Sequence, residues 1–244
     1  MKKIRLDRFL SEMGVDTRAA LKELIRGGQV TVNGKTVKKP ESRVDAENDA
    51  VTVRGERVTY EEFQYFMLNK PQGVVTATRD RCQKTVLDLL LERRRPDISP
   101  VGRLDKDTEG LLLLTNDGVL SHRLLAPGRH VPKEYFTVVD GRLGSADQHA
   151  FQTGVDIGDG SPTMPAELFI LETGEISRAI VTIQEGRYHQ IKRMFEALDK
   201  RVTFLKRLSM GPLKLDENLK PGQYRRLTES EVSELMKLKN TRER

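Results

Sequence analysis

A single cysteine, Cys82, among 244 residues leaves no partner for an intramolecular disulfide and no basis for a thiolate zinc site. No apolar run approaches the roughly 20 residues that a membrane span requires. The first residues, Met-Lys-Lys-Ile-Arg-Leu-Asp, meet charge where a secretory leader would have its apolar core. Internal repeats and low-complexity tracts are missing, and outside the loop around residue 105 there is no His-rich or Asp-rich cluster. These absences exclude a disulfide scaffold, a membrane-spanning protein and a repeat array. A reducing cytoplasm is the simplest setting.

What is present is positive charge, unevenly spread. The chain has 42 Lys/Arg against 36 Asp/Glu, a formal charge of +6, and a pI of about 9.4. Residues 1–60 hold 13 Lys/Arg and 9 Asp/Glu, a net of +4, and residues 178–214 hold 9 and 3, a net of +6. Two separate basic segments point to two places that touch phosphate, with solvated surface as the alternative.

Leu6, Phe9, Leu10 and Met13 follow i, i+3, i+4, i+7, the stripe of a short helix, which Gly14 stops. Asp16 or Thr17 can cap a second helix carrying Leu21, Leu24 and Ile25, ended by Gly27-Gly28. Val30 to Val37 alternates around Asn33-Gly34, a hairpin signal, and Val51 and Val53 add a strand. The pattern loses its period over 55–63, where a linker is expected. Beyond it, strands are expected at 65–68, 74–76, 111–114, 135–139, 167–171, 180–183 and 202–205. Helices are expected at 86–91, from Gly118 through Leu125, and at 191–198. Thr228 and Glu231 form a capping box before a last helix with Val232, Leu235 and Met236. No regular βαβ rhythm appears, so the expected class is α+β with a largely antiparallel sheet. The domains are expected at 1–60 and 64–240.

The run Gly102-Arg-Leu-Asp105-Lys-Asp-Thr-Glu-Gly110-Leu111 places one carboxylate in a tight polar loop between two short apolar segments. Asp107 and Glu109 lie close by, so a two-carboxylate metal site is a rival reading, although metal-assisted hydrolysis draws on more ligands than this chain offers. The run meets every fixed position of Gly-Arg-Leu-Asp-x-x-Thr-x-Gly-Leu. That is the signature of the RNA pseudouridine synthases, and the chain resembles their small ribosomal subunit (RsuA-like) branch. Residues 1–60 resemble the S4 RNA-binding module.

The resemblance implies that Asp105 is the nucleophile of a uridine-to-pseudouridine isomerisation. This reaction breaks C1′–N1, turns the base and joins C1′ to C5 without redox change, so neither cofactor nor metal is expected. The target base must leave its stack, which costs a few kcal/mol, and Arg103 is expected at the RNA face supporting the flipped nucleotide. Pro132-Lys-Glu-Tyr135-Phe resembles the second motif, in which Tyr135 would stack on uracil and is a candidate base for the C5 proton; a buried core tyrosine is the alternative. Gly186-Arg-Tyr-His-Gln-Ile-Lys192-Arg-Met resembles the third, in which Lys192 would pair with Asp105, favouring its charged form. Many relatives carry Arg there, and Lys offers a point charge in place of a fork. His189 has no proton-transfer role by its place in the motif. Arg187, Arg193 and Arg207 are expected to face RNA, as are Arg5, Arg8, Arg18, Lys22 and Arg26 in the S4-like module. The expected partner is ribosomal RNA, with uridine 516 of 16S rRNA as the target, no membrane, and a monomeric protein. A 23S rRNA site, or a non-catalytic S4-type assembly factor, are the alternatives.

Overall fold

A computed structural model describes residues 3–92 and 94–238. The chain divides into two compact units, one of residues up to 64 with 90–98, the other of 65–89 with the remainder from 99.

The first unit runs β1 (Lys3–Arg5), α1 (Leu6–Glu12), α2 (Arg18–Arg26), β2 (Val30–Val32), β3 (Lys35–Thr36), β4 (Arg43–Asp45), β5 (Val51–Val53) and β6 (Glu56–Val58). The stripe read from the sequence is the buried face: Leu6, Phe9, Leu10, Leu21 and Ile25 pack with Val30, Val51 and Val58. Thr17 caps α2 by accepting a hydrogen bond from Ala20 N at 3.4 Å. Asn33 and Gly34 both take positive φ, 51° and 77°, which a two-residue hairpin turn between β2 and β3 requires. The expected linker at 55–63 is corrected in part, because β6 pairs with β5 and completes the sheet β3-β2-β5-β6. Its short Glu-Arg-Val offers too few apolar positions to register as a strand.

Residues 90–98 were not expected in this unit. They are held by Arg95, whose buried guanidinium lies 3.0 Å from Asp97 and 3.6 Å from Glu12 and whose backbone N–H donates to Gln64 at 2.9 Å. Gly14, at φ +65°, ends α1 where a Cβ would collide with the carbonyl of Arg94.

The second unit is built on a nine-stranded sheet. Its strands are β7 (Tyr65–Lys70), β8 (Ser99–Pro100), β9 (Glu109–Thr115), β10 (Lys133–Asp140), β11 (Glu167–Glu172), β12 (Ile176–Ile183), β13 (Arg201–Met210), β14 (Leu213–Lys214) and β15 (Tyr224–Arg226). Its helices are α3 (Gly118–Leu125), α4 (Ser145–Thr153), α5 (Gln190–Glu196) and α6 (Glu229–Lys237), with 3-10 turns at Val86–Leu89 and Pro127–Arg129. The main order is β11-β12-β10-β13-β9-β7-β15. Among these named strands every pairing is antiparallel except β13 with β9, which meet through Lys206↔Glu109 and Arg207↔Gly110. The α+β, largely antiparallel architecture is therefore present.

Leu111 to Leu114 are buried at the centre of this sheet. Asp117 caps α3 through Leu120 N at 2.9 Å and accepts from Tyr65 Oη at 3.0 Å, and Thr228 with Glu231 forms the capping box of α6. Two of the expected elements take another form, and α4, β8, β14 and β15 of this unit were not expected. Residues 74–76 form only a bridge, Val75 to Thr85, and 86–91 is a four-residue 3-10 turn because Asp88 binds back to Thr85 N and Oγ1. Strands β12 and β13 extend beyond the apolar cores that mark them, since their outward positions carry Arg, Ser and Lys.

The β9–β13 junction depends on Gly110. At φ +105°, a Cβ would come within 2.6 Å of Arg207 N and closer to its carbonyl oxygen. Strain and overpacking each cost about 1–3 kcal/mol. Gly110→Ala is thus expected to lower unfolding free energy by roughly 2–6 kcal/mol in urea melts; a variant as stable as the parent would show that this approach is not a constraint.

Candidate active site

A cleft of about 910 Å³ opens in the second unit, and Asp105, Lys133, Tyr135, His189, Lys192 and Arg207 all line it. The Asp105 loop enters it between β8 and β9. Beneath the loop lies Lys70, the last residue of β7 and fully buried. Its ammonium donates to the carbonyl oxygens of Asp105 (2.9 Å), Thr108 (2.9 Å), Pro71 (3.1 Å) and Lys106 (3.4 Å). Thr76 adds a second clamp: its hydroxyl donates to Leu104 O at 2.7 Å and accepts from Leu104 N at 3.2 Å. Gly73 N donates to Lys106 O at 2.8 Å. The loop backbone is thus fixed from below while the Asp105 side chain stays 31 % exposed to the cleft.

Two basic groups from the third motif face that carboxylate. Lys192 Nζ stands 3.3 Å from Asp105 Oδ2 and 2.6 Å from Asp107 Oδ1. Burial opposes the charge on Lys192, yet the hydrogen bond to Asp107 and the two carboxylate charges push it above its ordinary value. The same hydrogen bond holds Asp107 below the usual carboxylate range. Asp107, the second carboxylate of a metal reading, is therefore engaged by Lys192. His189, given no role from the motif, has Nε2 3.5 Å from Asp105 Oδ1. It takes φ +50° just before α5 and stacks on Tyr188 at 3.9 Å between centroids. Tyr188 is 74 % exposed, a flat face at the surface.

Tyr135 is buried in β10 yet borders the cleft, and among the described residues its hydroxyl has no protein partner. Across the sheet it stands opposite Arg207. Lys133, on the same face two residues earlier, donates to Val131 O at 2.9 Å. Burial, with the charge of Arg207, pushes Lys133 down to about 8.

The basic residues expected to face RNA fall into three sets. Arg103, Arg18 and Lys22 are exposed and free of protein partners among the described residues. Arg5, Arg8 and Arg26 are exposed but ion-paired locally with Asp7, Glu12 and Glu23. Arg187, Arg193 and Arg207, also expected to face RNA, are each engaged within the protein. Arg187 binds Asp159, Glu185 and the carbonyls of Ser161 and Pro162, and Arg193 binds Asp159 and the carbonyl of Ile157. Together they brace the loop at 157–162. Arg207 is only 2 % exposed, its Nε donating to Leu111 O at 2.7 Å; it belongs to the cleft wall.

The family model for RNA pseudouridylate synthase matches residues 64–197. The chain belongs to the RNA pseudouridine synthases. Residues 4–59 match the S4 domain, so this synthase carries an S4 unit ahead of its catalytic one. It is 47% identical to an uncharacterised RNA pseudouridine synthase of Bacillus subtilis (strain 168) over 94% of its own length and 97% of the relative's. It is 40% identical to ribosomal small subunit pseudouridine synthase A of Haemophilus influenzae, over 96% of its length and all of the relative's. A crystal structure of a pseudouridylate synthase superposes with a TM-score of 0.67 at 39% identity, covering 95% of this chain and 99% of that one.

Lys70 had no functional signal in the sequence beyond closing an apolar strand before Pro-Gln-Gly. Burial pushes its ammonium down to about 8, against the pull of Asp105, Asp107 and Glu109. Lys70→Met keeps an apolar stem but leaves buried carbonyls without their donor, at about 1–3 kcal/mol each. We expect kcat to fall at least 10-fold with RNA affinity kept. In the parent, activity should fall as pH rises through 8, when the ammonium loses a proton. Stability should not fall with it. The folded value lies below the ordinary 10.5, so between 8 and 10.5 the unfolded chain binds more protons and Lys70's contribution to stability rises. Rates and urea midpoints measured across this window separate the two; parallel losses would mean loss of fold instead of loop geometry.

Proposed function

We propose that this synthase isomerises uridine to pseudouridine in ribosomal RNA, with uridine 516 of 16S rRNA as its target and Asp105 as its nucleophile. The observation that carries the reading is the Asp105 carboxylate, held on a clamped loop and flanked by Lys192 at 3.3 Å, in a cleft that also contains Tyr135. The rRNA target rests on relatives named ribosomal small subunit pseudouridine synthase A, matched over nearly the whole chain. It works without cofactor or metal, as a monomer in the cytoplasm.

In this reading a uridine leaves its stack, Arg103 supports the opened strand at the cleft mouth, and Asp105 supplies the electron pair at C1′ as the bond to N1 breaks. Tyr135 holds the freed base by its ring. After the base turns, C5 joins C1′ as the Asp105–C1′ bond breaks and returns its pair to the carboxylate. The Tyr135 hydroxyl oxygen, free of protein partners among the described residues, then takes the C5 proton while its own proton passes on to N1. Lys192 sets the rotamer of Asp105 and balances its charge.

Asp105→Asn preserves size and removes the nucleophile, so RNA should still bind with no pseudouridine formed; turnover by this variant on any RNA the parent modifies would sink the assignment. Lys192→Ala should cost more activity than Lys192→Arg, which keeps a cation beside Asp105. Tyr135→Phe should slow release of a C5 tritium label while leaving binding unchanged. Mapping pseudouridine in 16S and 23S rRNA from cells with and without the gene tests the target. Loss of a 23S site would move the target, and no change at any site would favour a non-catalytic assembly factor.

The S4 unit is assigned RNA affinity and placement. Deleting residues 1–60 would take Glu12 from the buried guanidinium of Arg95 and the rest of the S4 core from 90–98, so charge removal is the cleaner test. Arg18→Ala with Lys22→Ala should weaken rRNA binding and flatten its log–log salt slope by about 1.5, at roughly 0.7–0.9 per phosphate contact. An unchanged slope would leave these two cations without a role in RNA binding.

A further inference from the structure

The inner wall of the cleft holds two cations that the reading above leaves without work. Arg207 is almost fully buried, and its Nη2 has no acceptor among the described residues. Lys133 makes one hydrogen bond, to Val131 O, and keeps its remaining donors. Among the described residues no carboxylate pairs with either, and Lys133 is held below its ordinary value by burial and by the charge of Arg207. Buried donors are normally matched to acceptors. An unmatched pair in a cleft is arranged for an acceptor that arrives from outside.

The sheet register says where that acceptor sits. Tyr135 stands directly opposite Arg207, and Lys133 lies two residues along the same face. On its other side Arg207 pairs with Gly110, the residue that closes the Asp105 loop. Arg207, Tyr135 and Lys133 thus form one continuous patch beside the carboxylate. We infer that Arg207 Nη2 and Lys133 Nζ receive the carbonyl oxygens O2 and O4 of the flipped uracil and hold the base while it is detached.

The chemistry suits a donor pair of this charge. Uracil presents two carbonyl acceptors, whereas cytosine carries an amino donor in place of O4 and would set N–H groups against a cation. When C1′–N1 breaks, its electron pair goes to the base, and the negative charge spreads over N1, O2 and O4. Asp105 supplies the replacing pair at C1′, so charge is conserved. Fixed cations in the buried wall of the cleft stabilise such a developing anion without rearranging. The ring of Tyr135 holds the plane of the base, and the cations hold its edge.

This inference rests on the pseudouridine reading and is tested within it. Single-turnover rates at saturating full-length enzyme are compared for the parent, Lys133→Met and Arg207→Lys, on rRNA fragments whose target is uridine, 2-thiouridine or 4-thiouridine. Sulfur is a poor hydrogen-bond acceptor, so a thio group weakens the donor bond from the RNA side. We expect each variant to bind uridine RNA within about two-fold of the parent but react about 100-fold more slowly, the scale of losing one charge-stabilising donor. One thio substitution should slow the parent about 10-fold and the matching variant hardly at all, because coupled partners are non-additive. A merely structural role would leave the thio penalty the same in parent and variants, and would overturn the inference. So would loss of affinity and salt slope with an unchanged saturated rate, which would make these cations phosphate contacts. A parent that forms no pseudouridine on rRNA would instead overturn the reading beneath it.

Discussion

One buried ammonium organises the Asp105 loop. Lys70 ends an apolar strand, β7, that lies between β9 and β15, and binds four backbone oxygens, three of them in the segment 105–108. A polar loop at the head of a buried strand would otherwise leave its carbonyls facing inward without donors, and a desolvated carbonyl is costly. One lysine satisfies them together. Because those bonds go to the backbone, the Asp105 side chain is left to the cleft, and the neighbouring Thr76 and Gly73 clamps narrow its freedom further. Bonds of this kind fix the loop backbone to the scaffold and leave the carboxylate outside the clamp.

The charges around the cleft are divided between two tasks. Lys70 and Lys192 are committed to the loop, one to its carbonyls and one to its carboxylates. Arg187 and Arg193 are committed to the 157–162 loop, so the most basic stretch of the sequence does much of its work inside the protein. Net charge by segment therefore overstated the cations available to RNA there. In the S4 unit the same correction applies to Arg5, Arg8 and Arg26, each within reach of an acidic neighbour two to four residues away.

Much of the fold was legible because helix and strand periods are local. The helix at Leu6–Glu12, the Asn33-Gly34 hairpin, the buried Leu111–Leu114 strand and the Thr228–Glu231 box all follow from residues within one turn of one another. Less legible were β6, the full length of β13 and the short turn at 86–89, where polar outward positions or a side chain binding its own backbone hide the period. Of the candidate site, Asp105, Tyr135 and Lys192 were found through motif order, and they do line one cleft. Lys70, Lys133 and the approach of His189 were not. Their meaning comes from a carbonyl cluster, a cross-strand register and a left-handed residue ahead of α5, all long-range facts of packing.

The segment 90–98 bears on how the chain folds as it is made. The S4 unit looks like a prefix, yet it takes Arg95 and its neighbours from a stretch that follows β7. During synthesis that unit can form its helices and small sheet early, but Glu12 and Gln64 must wait for Arg95 to emerge. By then the first strand of the synthase sheet is already outside and still lacks β9, its partner from further along the chain. The S4 unit is completed only after β7 has emerged, and the exposed edge of β7 is the strand left waiting.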